Sequence, residues 1–156
     1  MGYRAMPVGA HVIGTATSAR HDWLTGLGAD QLIDYTTATF DDVLADVDVV
    51  LDLVGDARDN TSTRSLTVLR PGGLIIAVPG GVSPELAAAA GAAGVRATPF
   101  LVEPDGTALT RIAELIDAGT IRVEVEEVYP LAEVARAHAH GQANRTRGKL
   151  VLRVAS

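Results

Sequence analysis

The chain has no cysteine among its 156 residues. Disulfides and thiolate metal sites are therefore excluded within it. It has no basic run, and its net charge is -6. Nucleic acid is not the expected partner, because neutralising phosphates takes clustered Lys or Arg. A small anionic ligand needs only one or two donors and stays open. No apolar run reaches membrane-spanning length. The opening "MGYRAMPVGAH" lacks the apolar core of a secretory signal, so a cytoplasmic, non-membrane protein is expected. A further absence concerns glycine. No G-x-G-x-x-G and no Walker loop occurs, although glycine is plentiful at 16 residues.

What is present reads as a globular α/β protein. Hydrophobic residues make up 47% and charged residues 21%, an ordinary balance for a packed domain. A single domain over 1–156 is expected, burying roughly 70% of its unfolded surface. Strand and helix patterns alternate from Gly9 onward. His11–Thr15 is a β-type run. Residues 20–27 form a helix with Trp23, Leu24 and Leu27 on one face, closed by Gly28. Gln31–Tyr35 is the next strand, and Thr39 begins a short helix carrying Phe40, Val43 and Leu44. "VDVVLDLVG" (Val47–Gly55) fits a parallel strand covered on both faces. A helix over 58–69 ends at "RPGG" (Arg70–Gly73), and "LIIAVPGG" (Leu74–Gly81) is a buried strand. Ser83 caps a helix with Pro84 in its first turn. Val95–Val102 is extended. "DGTALTRIAELIDAGT" is amphipathic, with Leu109, Ile112, Leu115 and Ile116 on one face. "RVEVEEVYP", "LAEVARAHAHG" and "KLVLRV" read as strand, helix and strand.

The glycines do not build a phosphate loop, which must follow a strand and open a helix. "GLG" at Gly26–Gly28 ends a helix instead. "GGVSPE" (Gly80–Glu85) has the right context, but two glycines at a turn are commonplace. His138 and His140 sit about 200° apart on a helix and cannot share a metal. His11 and His21 each begin an element. The acids of "EVEE" (Glu124–Glu127) alternate between strand faces and read as solvated. Lys149, the only lysine, reads as a surface residue entering a strand. No metal site and no catalytic constellation is expected.

Six pieces in order resemble the medium-chain dehydrogenase/reductase superfamily, above all its zinc-independent quinone-oxidoreductase-like branch. They are "GAHVIGTATSARHDWLTGLGADQLIDY", "VDVVLDLVG", "LRPGGLIIAV", "DGTALTRIAELIDAGTIR", "YPLAEVARAHAHG" and "TRGKLVLRV". The resemblance implies a Rossmann-like, mostly parallel sheet with helices on both faces. It also implies that the GroES-like catalytic domain and the first Rossmann strand, loop and helix are not included. The parent activity would be NADPH-dependent reduction of a quinone, enone or similar carbonyl, related to alcohol dehydrogenases, with this part inactive alone. Two other readings stand beside it: a split-subunit assembly module, and a stand-alone flavodoxin-like binding domain. A class I methyltransferase shares the L-x-P-G-G turn but would need a glycine loop and an acid closing its second strand.

The resemblance also implies a cofactor site. No acid follows the second family strand, where an acid would bind a ribose 2′-hydroxyl and repel a 2′-phosphate. Thr17, Ser18 and Arg20 of "TATSAR", with Tyr35 of "IDY", would hold the 2′-phosphate, so NADP is the expected nucleotide. Val54, Gly55, Val78, Pro79, Phe100 and Leu101 would line the nicotinamide-ribose channel. Thr98–Val102 would also be the edge that pairs two subunits. The family strand order 3-2-1-4-5-6 without strand 1 could close to the flavodoxin-like 2-1-3-4-5 if strands 2 and 4 pair. Otherwise the slot would be filled by Met1–Val8 or by a separate N-terminal half.

Overall fold

The computed structural model describes residues 9–143 and 146–155. It is an α/β structure whose assigned sheet pairings are parallel where direction is defined. The elements are β1 (Ile13–Thr15), a 3-10 turn (Ser18–Arg20), α1 (His21–Gly26), β2 (Gln31–Ile33), α2 (Phe40–Val43), β3 (Val47–Asp52), α3 (Asp56–Asp59), α4 (Thr61–Ser65), β4 (Leu69–Ala77), α5 (Pro84–Ala92), β5 (Arg96–Pro99), α6 (Gly106–Asp117), β6 (Val125–Pro130), a second 3-10 turn (Leu131–Glu133), α7 (Val134–Gln142) and β7 (Lys149–Arg153). They form three sheets: β1 with β2, β3-β4-β5, and β6 with β7.

Local chemistry sets most boundaries. Gly28 follows α1 at φ +100°, a backbone only glycine adopts freely. The Ser83 hydroxyl accepts the Leu86 N–H at 3.1 Å, and Pro84 takes the first position of α5, where its missing N–H costs nothing. Asp105 caps α6 by accepting the N–H groups of Thr107 and Ala108 at 2.9 and 3.0 Å.

The chain divides into two compact units, Met1–Leu32 with Asp105–Ser156, and Ile33–Pro104. Ile33–Pro104 holds the three-stranded sheet. Register runs Val50 to Ile75 and Asp52 to Ala77 between β3 and β4, then Ile75 to Ala97 and Ala77 to Pro99 between β4 and β5. Helices α3 and α4 connect β3 to β4, and α5 connects β4 to β5, as parallel pairing requires. One core cluster joins Leu66, Leu69, Ile75, Ala77, Leu86, Ala90 and Val95, with Val47, Val50 and Ala97 packed against it. Arg64 ties α4 to α2 through both oxygens of Asp41, and its guanidinium lies 4.9 Å from the Phe40 ring centre.

In the other unit, α6 carries no buried residue, and Leu109, Ile112 and Ile116 of its apolar face are exposed. Among the described residues its buried apolar groups are Ala16, Leu27, Tyr129 and Ala137. The ladder β6–β7 is parallel, with Val128 opposite Val151 and Tyr129 opposite Leu152.

Four expectations are corrected. The closed order 2-1-3-4-5 does not form: β1 pairs with β2, and β3 pairs with β4 alone among the described residues. The strand over Val47–Gly55 is not covered on both faces, since Val49, Leu51 and Leu53 are exposed. The helix over 58–69 is two short helices broken at Asn60, which is left-handed at φ +55°. "RPGG" does not end a helix but lies inside β4. The idea that Met1–Val8 fills the slot lies outside the described residues.

Candidate functional site

The sequence-derived site residues divide between the two units. Thr17, Ser18 and Arg20 belong to the first, on and just before the 3-10 turn that leads from β1 into α1. The turn is built by the Arg20 N–H donating to the Thr17 carbonyl at 2.9 Å. Thr17 and Arg20 are half-buried and Ser18 is exposed. Arg20 is already engaged: its guanidinium donates to the Thr146 carbonyl at 2.8 Å. That bond pins the segment leading into β7. It also fixes where a cation can meet an anion, because an ordered guanidinium loses less entropy on binding. His21, beside it, places Nε2 3.1 Å from the Ala16 carbonyl.

Tyr35 lies in the second unit, just past β2, and is 60% exposed. It sits in a turn made by Asp34, whose carboxylate accepts the Thr36 N–H at 2.9 Å and its hydroxyl at 2.6 Å.

The other six residues come together. They occupy the carboxyl ends of three adjacent parallel strands: Val54 and Gly55 after β3, Val78 and Pro79 after β4, Phe100 and Leu101 after β5. Two bonds continue the ladder past the strands. The Val78 N–H donates to Asp52 O at 3.1 Å, and the Phe100 N–H to Ala77 O at 3.1 Å. Gly55 is buried at φ +78°, and a Cβ there would stand 3.1 Å from the Pro79 carbonyl. Only glycine lets the two turns approach so closely. Val54, Phe100 and Leu101 remain exposed, giving an open apolar row. Ligands of open α/β sheets bind outside such strand ends.

Asp52 was not singled out by the sequence. It is buried and organises the row. Its carboxylate accepts the Val54 N–H at 2.8 Å, the Gly55 N–H at 3.1 Å and the Ser62 hydroxyl. Three donors offset the cost of burying the acid. The only sequence signal was an acid closing an apolar run just before "LVG".

"EVEE" is less solvated than its alternation implies. Glu126 accepts the N–H groups of Arg147 and Gly148 and lies 3.2 Å from His140 Nε2. Those amides hold its carboxyl below the usual glutamate range, with His140 adding to the effect. The buried Tyr129 hydroxyl lies 2.7 Å from both Glu127 Oε2 and His140 Nδ1. Its bond to Glu127 pushes the phenol pKa up. Arg136 stands 5.4 Å from the Tyr129 ring centre.

No group of three metal-ligating side chains converges among the described residues. No helix among the described residues is long and apolar enough to cross a membrane.

A family model described as zinc-binding dehydrogenase matches residues 27–152. An NADPH-dependent alkenal/one oxidoreductase, chloroplastic, of Arabidopsis thaliana is 29% identical, over 90% of this chain and 33% of its own length. The 2-methylene-furan-3-one reductase of Solanum lycopersicum is 26% identical, over 97% of this chain and 37% of its own. The solved quinone oxidoreductase of Coxiella burnetii is 30% identical with a TM-score of 0.85, covering 97% of this chain and 47% of that one. The chain thus spans about a third to a half of the length of the proteins it matches.

Proposed function

The chain belongs to the zinc-binding dehydrogenase family, within the medium-chain dehydrogenase/reductase superfamily, and from that premise we propose that it is the C-terminal NADP(H)-binding part of a reductase. The whole enzyme would pass hydride from NADPH to a quinone, enone or similar carbonyl compound. The cofactor supplies the hydride; this chain's residues bind and orient it. Val54–Gly55, Val78–Pro79 and Phe100–Leu101 would face the nicotinamide and its ribose. Thr17, Ser18, Arg20 and Tyr35 would meet the 2′-phosphate. The carrying observation is the apolar row at three parallel strand ends, pinned by buried Asp52. The nucleotide is supported by a relative, the NADPH-dependent alkenal/one oxidoreductase of Arabidopsis thaliana. Alone, the chain would not turn over, because it contains no glycine phosphate loop. A cytoplasmic location belongs to the same proposal, as does pairing of two copies through Thr98–Val102.

Calorimetric titration of NADPH and NADH onto the chain tests this reading. The expected result is micromolar binding that favours NADPH. Arg20→Ala and Tyr35→Phe should each erase the preference, and a melting curve shows whether losing the Thr146 bond has unfolded the first. Failure of both nucleotides to bind, or equal binding of both, overturns it.

A further inference from the structure

The Tyr129 hydroxyl and the two ring nitrogens of His140 make three polar contacts, and a neutral ring does not supply enough protons for them. The phenol oxygen is 2.7 Å from both Glu127 Oε2 and His140 Nδ1. His140 Nε2 is 3.2 Å from Glu126 Oε1. A hydroxyl brings one proton and a neutral imidazole one N–H. Two protons then serve three contacts, and one contact is left with lone pair facing lone pair. An imidazolium donates from both nitrogens. Tyr129 can then donate to Glu127, Nδ1–H to the phenol oxygen, and Nε2–H can face Glu126. The irregular register between Val125 and Glu127 lets consecutive glutamates reach one ring, as a bulge re-aims side chains. Other charges nearby are few. Arg136 of α7 lies 3.6 Å from Glu127 and pairs with Glu133 of the second 3-10 turn. His138 points about 200° away on the same helix. β7 presents Leu150 beside Gly141 of α7, so alternation turns Lys149 and Arg153 to its opposite face. The Arg147 side chain is exposed.

Glu126 leads from this ring to Arg20. Its other oxygen, Oε2, accepts the N–H groups of Arg147 and Gly148. The Arg147 N–H belongs to the same peptide group as the Thr146 carbonyl, which accepts the Arg20 guanidinium at 2.8 Å. A peptide group is planar, so a carboxylate that fixes its N–H also fixes the direction of its carbonyl. All of these residues lie in the unit of Met1–Leu32 with Asp105–Ser156.

We propose that doubly protonated His140 is a positioning residue for the 2′-phosphate site: it holds Glu126 on the 146–147 peptide group, and that group aims Arg20. The inference rests on the reading above that Arg20 meets the 2′-phosphate. Its consequence is a preference for NADPH that weakens as pH rises and the ring loses a proton. A 2′-phosphate alone would act in the opposite sense, because it gains charge above its second pKa of about 6.

The full chain, labelled with nitrogen-15 and free of nucleotide, is titrated by NMR from about pH 6 to about pH 9. At the acid end both His140 ring nitrogens should carry protons. As one leaves, protection of the Arg147 and Gly148 amides should fall about tenfold with the same midpoint, and the Arg20 side-chain N–H signals should broaden. Protection at Ile75 and Ala77 should not change. His140→Gln carries no charge and should give the low protection at every pH; if it does not fold, the parent chain's own titration decides. By calorimetry the parent's preference for NADPH over NADH should shrink across the same range, and the variant's should stay low throughout. A single ring proton at pH 6, amide protection that ignores the ring, or a preference that holds or rises with pH overturns the proposal. If neither nucleotide binds, the reading above fails and the nucleotide-free titration still decides this one.

Discussion

Seven buried apolar side chains meet in Ile33–Pro104, whereas the unit of Met1–Leu32 with Asp105–Ser156 buries a tyrosine and surrounds its hydroxyl with charge. Ile33–Pro104 has three parallel strands with helices between them, enough layers to close a core. The other unit has two-stranded ladders, which are too narrow to be stable on their own. Its apolar side chains Leu109, Ile112, Val125, Val128 and Leu131 are exposed. Cohesion there leans on directed bonds: Tyr129 with Glu127 and His140, Glu126 with Arg147 and Gly148, and Arg20 with Thr146. The comparison teaches that burial and hydrogen bonding divide by region rather than sharing every region equally.

The sharpest way to break the comparison is Ile75→Ala. Ile75 is fully buried in β4, the central strand of its sheet, so the change leaves a cavity in the cluster that includes Leu66, Leu86 and Val95. A cost of about 2–5 kcal/mol is expected, read from urea unfolding followed by circular dichroism. A cost under about 1 kcal/mol would mean that this cluster is not the anchor of the sheet. Tyr129→Phe probes the other unit and should matter less. It keeps the ring and its packing and removes only the hydroxyl shared by Glu127 and His140. The melting temperature should fall by about 2–4 °C. A drop larger than that of Ile75→Ala would reverse the proposed division of forces.

Much of this pattern was legible in the sequence, and the limits have physical causes. The Ser83 cap, Gly28 and the amphipathic face of α6 depend on a few neighbouring residues, so local chemistry announces them. The strand ends of the candidate site are legible for the same reason: "VG" and "VPG" break apolar runs where strands must stop. The exposure of Val49 and Leu51 was not legible, because a continuous apolar run states a need for cover without stating that the cover is supplied. Arg20 reaches Thr146 across 126 positions, and no local pattern encodes a bond at that range. Asp52 was hidden by its setting, since one acid in an apolar run gives no sign of the three donors that converge on it.

The smallest expected effect concerns pH. Glu126 and Asp41 lie in different units, and both carboxyls are held below their usual range. For Glu126 the main cause is the Arg147 amide; for Asp41 it is the hydrogen bond from Arg64. A carboxylate whose folded pKa is depressed contributes stability that is complete above its unfolded value. The contribution is lost as pH falls through the folded one. For Glu126 the loss therefore starts near pH 4.3 and continues below it. Glu126→Gln keeps an oxygen that can accept from Arg147 and Gly148 but cannot carry charge beside His140. The difference in melting temperature between the parent chain and this variant should be small but measurable at pH 6. It should shrink steadily from about pH 4.3 downward. Asp41→Asn should show the same sign from about pH 3.9 downward, through an ion pair rather than backbone amides. A difference that grows as the solution becomes more acidic would show that the carboxylate of Glu126 strains the β6–β7 ladder instead of holding it.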